Sequence, residues 1–237
     1  PVLNANIEAE SWRSTYYVLA AFSFVSSIIT LILLPKERRD PDAPPPPKRR
    51  AREDYPAIFR NRIFWILAIA MLLCNLSQVL ALSQLKLLLM ENGVTAAKVG
   101  ALLAAFPIGV LAGRFVSGFA LDRWSVPVVG LLCMGLPSFG LLILASSFDA
   151  YAVLMVAVVL IGFSYGSEGD IVAYAVAGKF GVALYSSVMG LMTMAMSISA
   201  STGALLLAWL LGITGNFNLF LVICAAAAMA GALMFLM

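Results

Sequence analysis

Three ionisable side chains stand inside otherwise apolar stretches of this sequence: Arg114, Glu168 and Asp170. A charge in such a setting is costly, which makes each of them a functional candidate. A guanidinium can grip an anion through its planar fork, and a carboxyl can carry a proton. At the helical rise, Arg114 lies about 12 Å inside its stretch from Asp122, and Asp170 and Glu168 lie about 13–16 Å inside theirs from Lys179. Equal depth predicts a neutralising cluster, in which protonating a carboxylate frees the Arg to bind an anion. The competing expectation is structural, with Glu168 or Asp170 salt-bridged to Arg114 or Arg123. In another stretch Asn75 and Gln78 are three residues apart, and Leu82 and Lys86 continue that helix face. Polar amides placed there line a cavity or join helices.

The elements that must position these groups follow from composition. The chain has 237 residues, of which 62% are hydrophobic and 11% charged. A soluble domain carries about 25% charged residues, so these charges are too few to coat a globular surface. A helix needs about 20 apolar residues to cross a bilayer core. Seven stretches meet that length: Thr15–Leu34, Ile63–Leu85, Ala97–Ala120, Val126–Ala145, Tyr151–Ala177, Leu184–Leu211 and Leu219–Met237. The expected fold class is therefore an all-α membrane protein with seven transmembrane helices.

Three segments are expected. Residues 1–35 hold an extracytoplasmic start and one span. Residues 36–62 form a Pro-rich, basic cytoplasmic linker, extended across its proline run. Residues 63–237 hold the other six spans. A division of one plus six reads as the back portion of something larger. With alternating sides, only Arg13, Lys86 and Lys98 of the 15 Lys and Arg fall opposite the linker. That bias puts the linker and the C-terminus in the cytoplasm and the N-terminus outside.

The loop after the third span reads Gly118-Phe119-Ala120-Leu121-Asp122-Arg123. It resembles the Gly-x-x-x-Asp-Arg loop of the major facilitator superfamily, found between the second and third helices of each six-helix half. Ser11-Trp12-Arg13 resembles the Trp-Arg that opens helix six there, and the basic linker sits where that family has its central loop. The resemblance implies helices six to twelve, with the last six spans forming the C-terminal half of the fold. It makes Gly118, Asp122 and Arg123 a cytoplasmic gate. One departure is that Trp124-Ser125-Val126-Pro127 follows, where the family has Gly and more basic residues.

Gly113-Arg114-Phe115-Val116-Ser117-Gly118 is similar to the eighth helix of the oxalate/formate antiporter and monocarboxylate transporter branch. There an Arg, four residues before a Gly, grips a substrate carboxylate. Val110 stands where monocarboxylate transporters have an Asp. Helix eleven offers only hydroxyls where oxalate transporters add a Lys, which favours a monoanion. The run Gly162 to Asp170, then Phe180-Gly181, looks like the tenth helix of organic-anion members and its exit.

The implied function is a secondary active transporter, a symporter of a small organic anion, most simply a monocarboxylate, with protons. Arg114, Asn75, Gln78 and Tyr165 are the candidate substrate contacts, and Glu168 and Asp170 the candidate proton carriers. The partners expected are the organic anion, protons, the lipid bilayer of a cell (inner) membrane and a missing N-terminal transporter half. The alternative is a half-length membrane protein that assembles with a partner half and transports nothing itself. The chain has no His, and Cys74, Cys133 and Cys224 lie scattered in apolar spans. No metal site, cofactor or enzyme activity is expected, and no nucleotide or nucleic-acid motif is present. A seven-helix receptor is disfavoured by the long Pro-rich loop and the lack of Asn-Pro-x-x-Tyr in the last span.

Overall fold

In lipid an apolar run has to satisfy its own backbone hydrogen bonds, which leaves the helix as the repeating solution. The computed structural model describes residues 12–34, 51–146 and 150–237, and among them every regular element is helical. The chain divides into two compact units, Pro1–Lys48 and Arg49–Met237. The first contributes α1, Trp12–Leu33. Its hydroxyls fold back on its own backbone: Ser27 donates to Ser23 O and Thr30 to Ser26 O, each at 2.8 Å. That hides their polarity and suits the helix to lipid.

The second unit begins with α2, Ala51–Arg60, and α3, Arg62–Cys74. The two meet at a bend of 77°. Asn61 makes the corner, its side chain accepting from Ile63 N at 2.9 Å, and Trp65 Nε1 closes it by donating to Phe59 O at 2.9 Å. The end of the linker is thus helical rather than extended, because Ile58 is fully buried and anchors the turn. The proline run, and Ser11 of the Trp-Arg opening, lie outside the described residues. The chain continues through α4, Leu85–Glu91, and α5, Ala96–Leu121. Then come α6, Val126–Ala145, α7, Tyr151–Thr214, and α8, Asn218–Met234.

Helices α1, α5, α6 and α7 are long and apolar enough to cross a membrane, and the bent α2–α3 pair meets the same test of length and composition when its two helices are taken together. Within α7, Gly181 adopts φ 70° and ψ 172°, which divides it into two arms, α7a before and α7b after. A side chain at that φ is strained, and glycine removes the strain. This is the break expected at Phe180-Gly181. The helices accommodate seven crossings.

The second expected span differs. A continuous helix over Ile63–Leu85 was the expectation; instead α3 stops at Cys74, Asn75–Ser77 form a turn, and Leu80–Gln84 form a π-helical segment leading into α4. Gln78 N–H bonds Asn75 O and Leu80 N–H bonds Ser77 O, both at 3.0 Å and three residues back. The cause is Asn75, whose side-chain amide competes with the helix ladder by donating to Met71 O at 2.9 Å.

Packing places that break in a defined layer. Two apolar clusters form the core, one containing Met71, Met134, Ile171 and Met192, the other Leu76, Leu141, Ile161 and Leu207. Between them, on each chain segment in turn, stand Asn75, Ser138, Ser164 to Glu168, and Ser199. All but Tyr165 are buried. The polar residues thus share one level, sandwiched between greasy halves.

Candidate functional site

The layer is built on a close helix pair. Gly109 and Gly113 on α5 face Gly162 and Gly166 on α7a. A Cβ at Gly109 would strike Val159 O, at Gly113 Phe163 O, at Gly162 Phe106 O, and at Gly166 Val110 O. Only glycine permits this backbone-on-backbone approach. Ser167 stitches the seam by donating to Gly113 O at 3.2 Å and to Phe163 O at 2.9 Å.

With the seam fixed, the other side chains are placed by rotation. Each residue along a helix turns by about 100°. Asp170, four residues past Gly166, looks back at α5, where Ser117 Oγ donates to its Oδ2 at 3.4 Å. Glu168, two past Gly166, points the other way, toward the break after α3. Its Oε1 accepts from Asn75 Nδ2 at 2.6 Å, and the residue is 6% exposed. Arg114, one past Gly113, turns out of the seam and is exposed. Ser117 Oγ donates to the Arg114 carbonyl at 3.2 Å, while no bond engages the guanidinium among the described residues. The expected three-way cluster of Arg114 with both carboxylates, and the salt bridge that competed with it, are therefore not formed. The three residues lie on different faces.

The structure does bring four of the expected residues together. Asn75, Gln78, Tyr165 and Glu168 line one cavity of about 30 Å³, with Cys74, Ser77, Ala81, Pro137, Ile161 and Ser164. The expected Asn75–Gln78 stripe on one helix face is lost to the turn between them, yet both reach the same hollow. Tyr165 leans on Phe106, with ring centroids 5.7 Å apart. Ser77, Ser164 and Ser199 were given no site role from sequence, and a lone serine in an apolar run gives no signal. Ser199 Oγ donates to Leu72 O, a carbonyl at the break, and Gly203 abuts Leu76 O one turn on. The second arm of α7 thereby props the interrupted helix.

At the far end of α5, Asp122 Oδ1 accepts from Tyr174 OH of α7a at 3.5 Å, and the Arg123 guanidinium stacks 3.6 Å over the Phe119 ring. Gly118 has open space where a Cβ would sit, so it is not a packing glycine here. On α7b, Thr193, Ser197 and Ser201 form an exposed stripe, each donating to the carbonyl four residues back.

A bundle of apolar helices with a buried polar layer and an Asp-Arg loop defines a multi-pass membrane protein. The sequence model described as Major Facilitator Superfamily matches residues 3–204. The chain belongs to the major facilitator superfamily: it is an integral, multi-pass membrane transporter, and its partners include a small-molecule substrate and the lipid bilayer. No curated protein matches it.

Proposed function

We propose that this chain carries the anion-binding and coupling half of a proton-linked transporter for a small organic anion, a monocarboxylate in the simplest case. The observation that carries the reading is Arg114. It is a cation in the middle of an apolar helix, exposed, with no carboxylate engaging it among the described residues. Such a charge requires an anionic partner, and a substrate carboxylate matches its fork. Glu168 and Asp170 are the proton carriers of the reading, and Asn75, Gln78 and Tyr165 contact or shape the path between them and the anion. Gly118, Asp122 and Arg123 form the gate at the linker end, with Tyr174 as the partner of Asp122.

The Arg114 face of α5 and the hydroxyl stripe of α7b are both open within residues 49–237. A second set of helices laid on them closes the solute cavity, and we assign that role to a first-half domain. In this reading residues 1–35 end that first half, residues 36–62 are the cytoplasmic connector, and residues 63–237 are the second half. The linker and C-terminus then face the cytoplasm of a cell (inner) membrane. The same open faces support the second reading, a half-length protein that assembles with a separate partner.

The test is uptake of radiolabelled formate, acetate, lactate and pyruvate into proteoliposomes under a pH gradient, with the complementary half supplied. Saturable uptake of one of them is expected, with co-entry of protons. Arg114→Ala should weaken the apparent affinity by the about 2–5 kcal/mol of a truncated, desolvated charge pair, and Arg114→Lys should recover only part of it. Uptake unmoved by Arg114→Ala would remove the anion reading. Uptake by the 237-residue chain alone would remove the need for a partner half.

A further inference from the structure

The cavity beside Glu168 is the wrong size and the wrong sign for an organic anion. At about 30 Å³ it has room for a water-sized particle, and its one carboxylate repels negative charge. Its lining carries side-chain oxygens on Glu168, Ser164 and Tyr165 from α7a and on Asn75, Ser77 and Gln78 from the interrupted segment, beside apolar Ala81, Pro137 and Ile161. Cys74 and Tyr165 are the other titratable groups that line it, and neither Lys nor Arg does. When ionised, Glu168 therefore lacks a cationic side chain among these residues, and its Oε1 bond comes from a neutral amide. Buried charges are paired or coordinate metals.

Hard cations are held by carboxylate, carbonyl, hydroxyl and water oxygens. A single carboxylate balances one positive charge. Among the described residues no group of three or more His, Cys, Asp or Glu exists to hold a metal of higher demand. The hollow also sits where the helix is interrupted, and interrupted helices at mid-membrane are where coupling ions bind in other transporters.

We infer that this cavity is a site for one sodium ion, bound by Glu168 with the surrounding amide and hydroxyl oxygens, and that Na⁺ and H⁺ compete for the same carboxyl group. The exchange is balanced: the protonated carboxyl takes up Na⁺ and releases H⁺, leaving the sodium carboxylate. This deepens the coupling reading above by giving the proposed proton carrier Glu168 a second, competing cation.

The experiment is equilibrium binding of radioactive Na⁺ to the purified full chain in lipid nanodiscs, with folding followed by circular dichroism and gel filtration. One saturable site per chain is expected. On the acid side its apparent affinity should fall by about tenfold per pH unit, as for any ion that displaces a proton. Glu168→Gln should abolish binding, Ser164→Ala should weaken it, and Glu91→Gln, a carboxylate at the exposed end of α4, should leave it intact. Absence of saturable binding by the folded wild type overturns the inference, as does binding that survives Glu168→Gln. If Glu168→Gln fails to fold, pH-independent binding by the wild type, or unchanged binding by Ser164→Ala, overturns it equally. Proton-coupled anion uptake without Na⁺ binding removes this site and keeps the transport reading. Na⁺ binding without anion uptake does the reverse.

Discussion

The α5–α7a seam and the Glu168 cavity lie within one helical turn of each other and are built on opposite principles. In the seam, glycines bring backbone onto backbone and leave no room for a side chain. Around the cavity, an interrupted helix holds polar side chains apart and keeps a hollow open. The seam has one good arrangement. The cavity wall is held by side-chain hydrogen bonds, Asn75 to Glu168 and Ser199 to Leu72 O, beside the close approach of Gly203 to Leu76 O. A transporter needs both: a rigid body to move, and a soft spot where binding changes the balance between states.

That contrast can be broken at either end. The largest effect is expected in the seam. Gly166→Leu drives a side chain into Val110 O, a backbone atom that cannot swing aside, so destabilisation should exceed the roughly 1–3 kcal/mol of ordinary overpacking. Thermal unfolding in detergent, followed by gel filtration, measures it, and a midpoint equal to wild type would mean the helices can separate freely. At the cavity the expected loss is smaller and depends on context. Asn75→Leu strands the Glu168 carboxylate and should cost about 1–3 kcal/mol. Paired with Glu168→Leu, most of that loss should vanish, because replacing both partners by apolar groups leaves nothing unsatisfied. Additive losses in that double-mutant cycle would show that the two side chains do not communicate. The smallest effect belongs to the gate, where Tyr174→Phe removes a long, exposed bond to Asp122. Stability should stay within about 0.5 kcal/mol, and any change should appear in uptake rate alone.

The same two regions show what a sequence makes legible. The seam is legible in part: Gly109 and Gly113 in one stretch and Gly162, Gly166 and Gly169 in another predict close packing through small residues, though not which helices meet, and Gly169 faces open space instead. The break at Gly181 was visible because one residue type tolerates its φ. The interruption at Asn75 was not. Residues Ile63–Leu85 read as one apolar span, and Asn75, which donates to Met71 O four residues back, also donates to Glu168, 93 positions away, a pairing that local spacing does not reveal. The charge cluster failed for a related reason. Counting residues gives the height of Arg114, Glu168 and Asp170 in the membrane, but their azimuth is set by which face the glycines turn inward. Four of the named residues still reached one cavity, since polar groups at one depth in an apolar bundle gather wherever the packing leaves space.

The two arms of α7 have a mechanical consequence. They meet at Gly181 with helix on both sides and no intervening loop, so the junction contains no slack. A cord between two bodies lets each drift before the other feels it; a joint of one residue does not. An axial displacement of α7a, which carries Glu168, must be passed to α7b, which carries the hydroxyl stripe, or be taken up as torsion at a single φ/ψ pair. Gly181 is thus a one-residue hinge between the arm that carries Glu168 and the arm that carries the hydroxyl stripe.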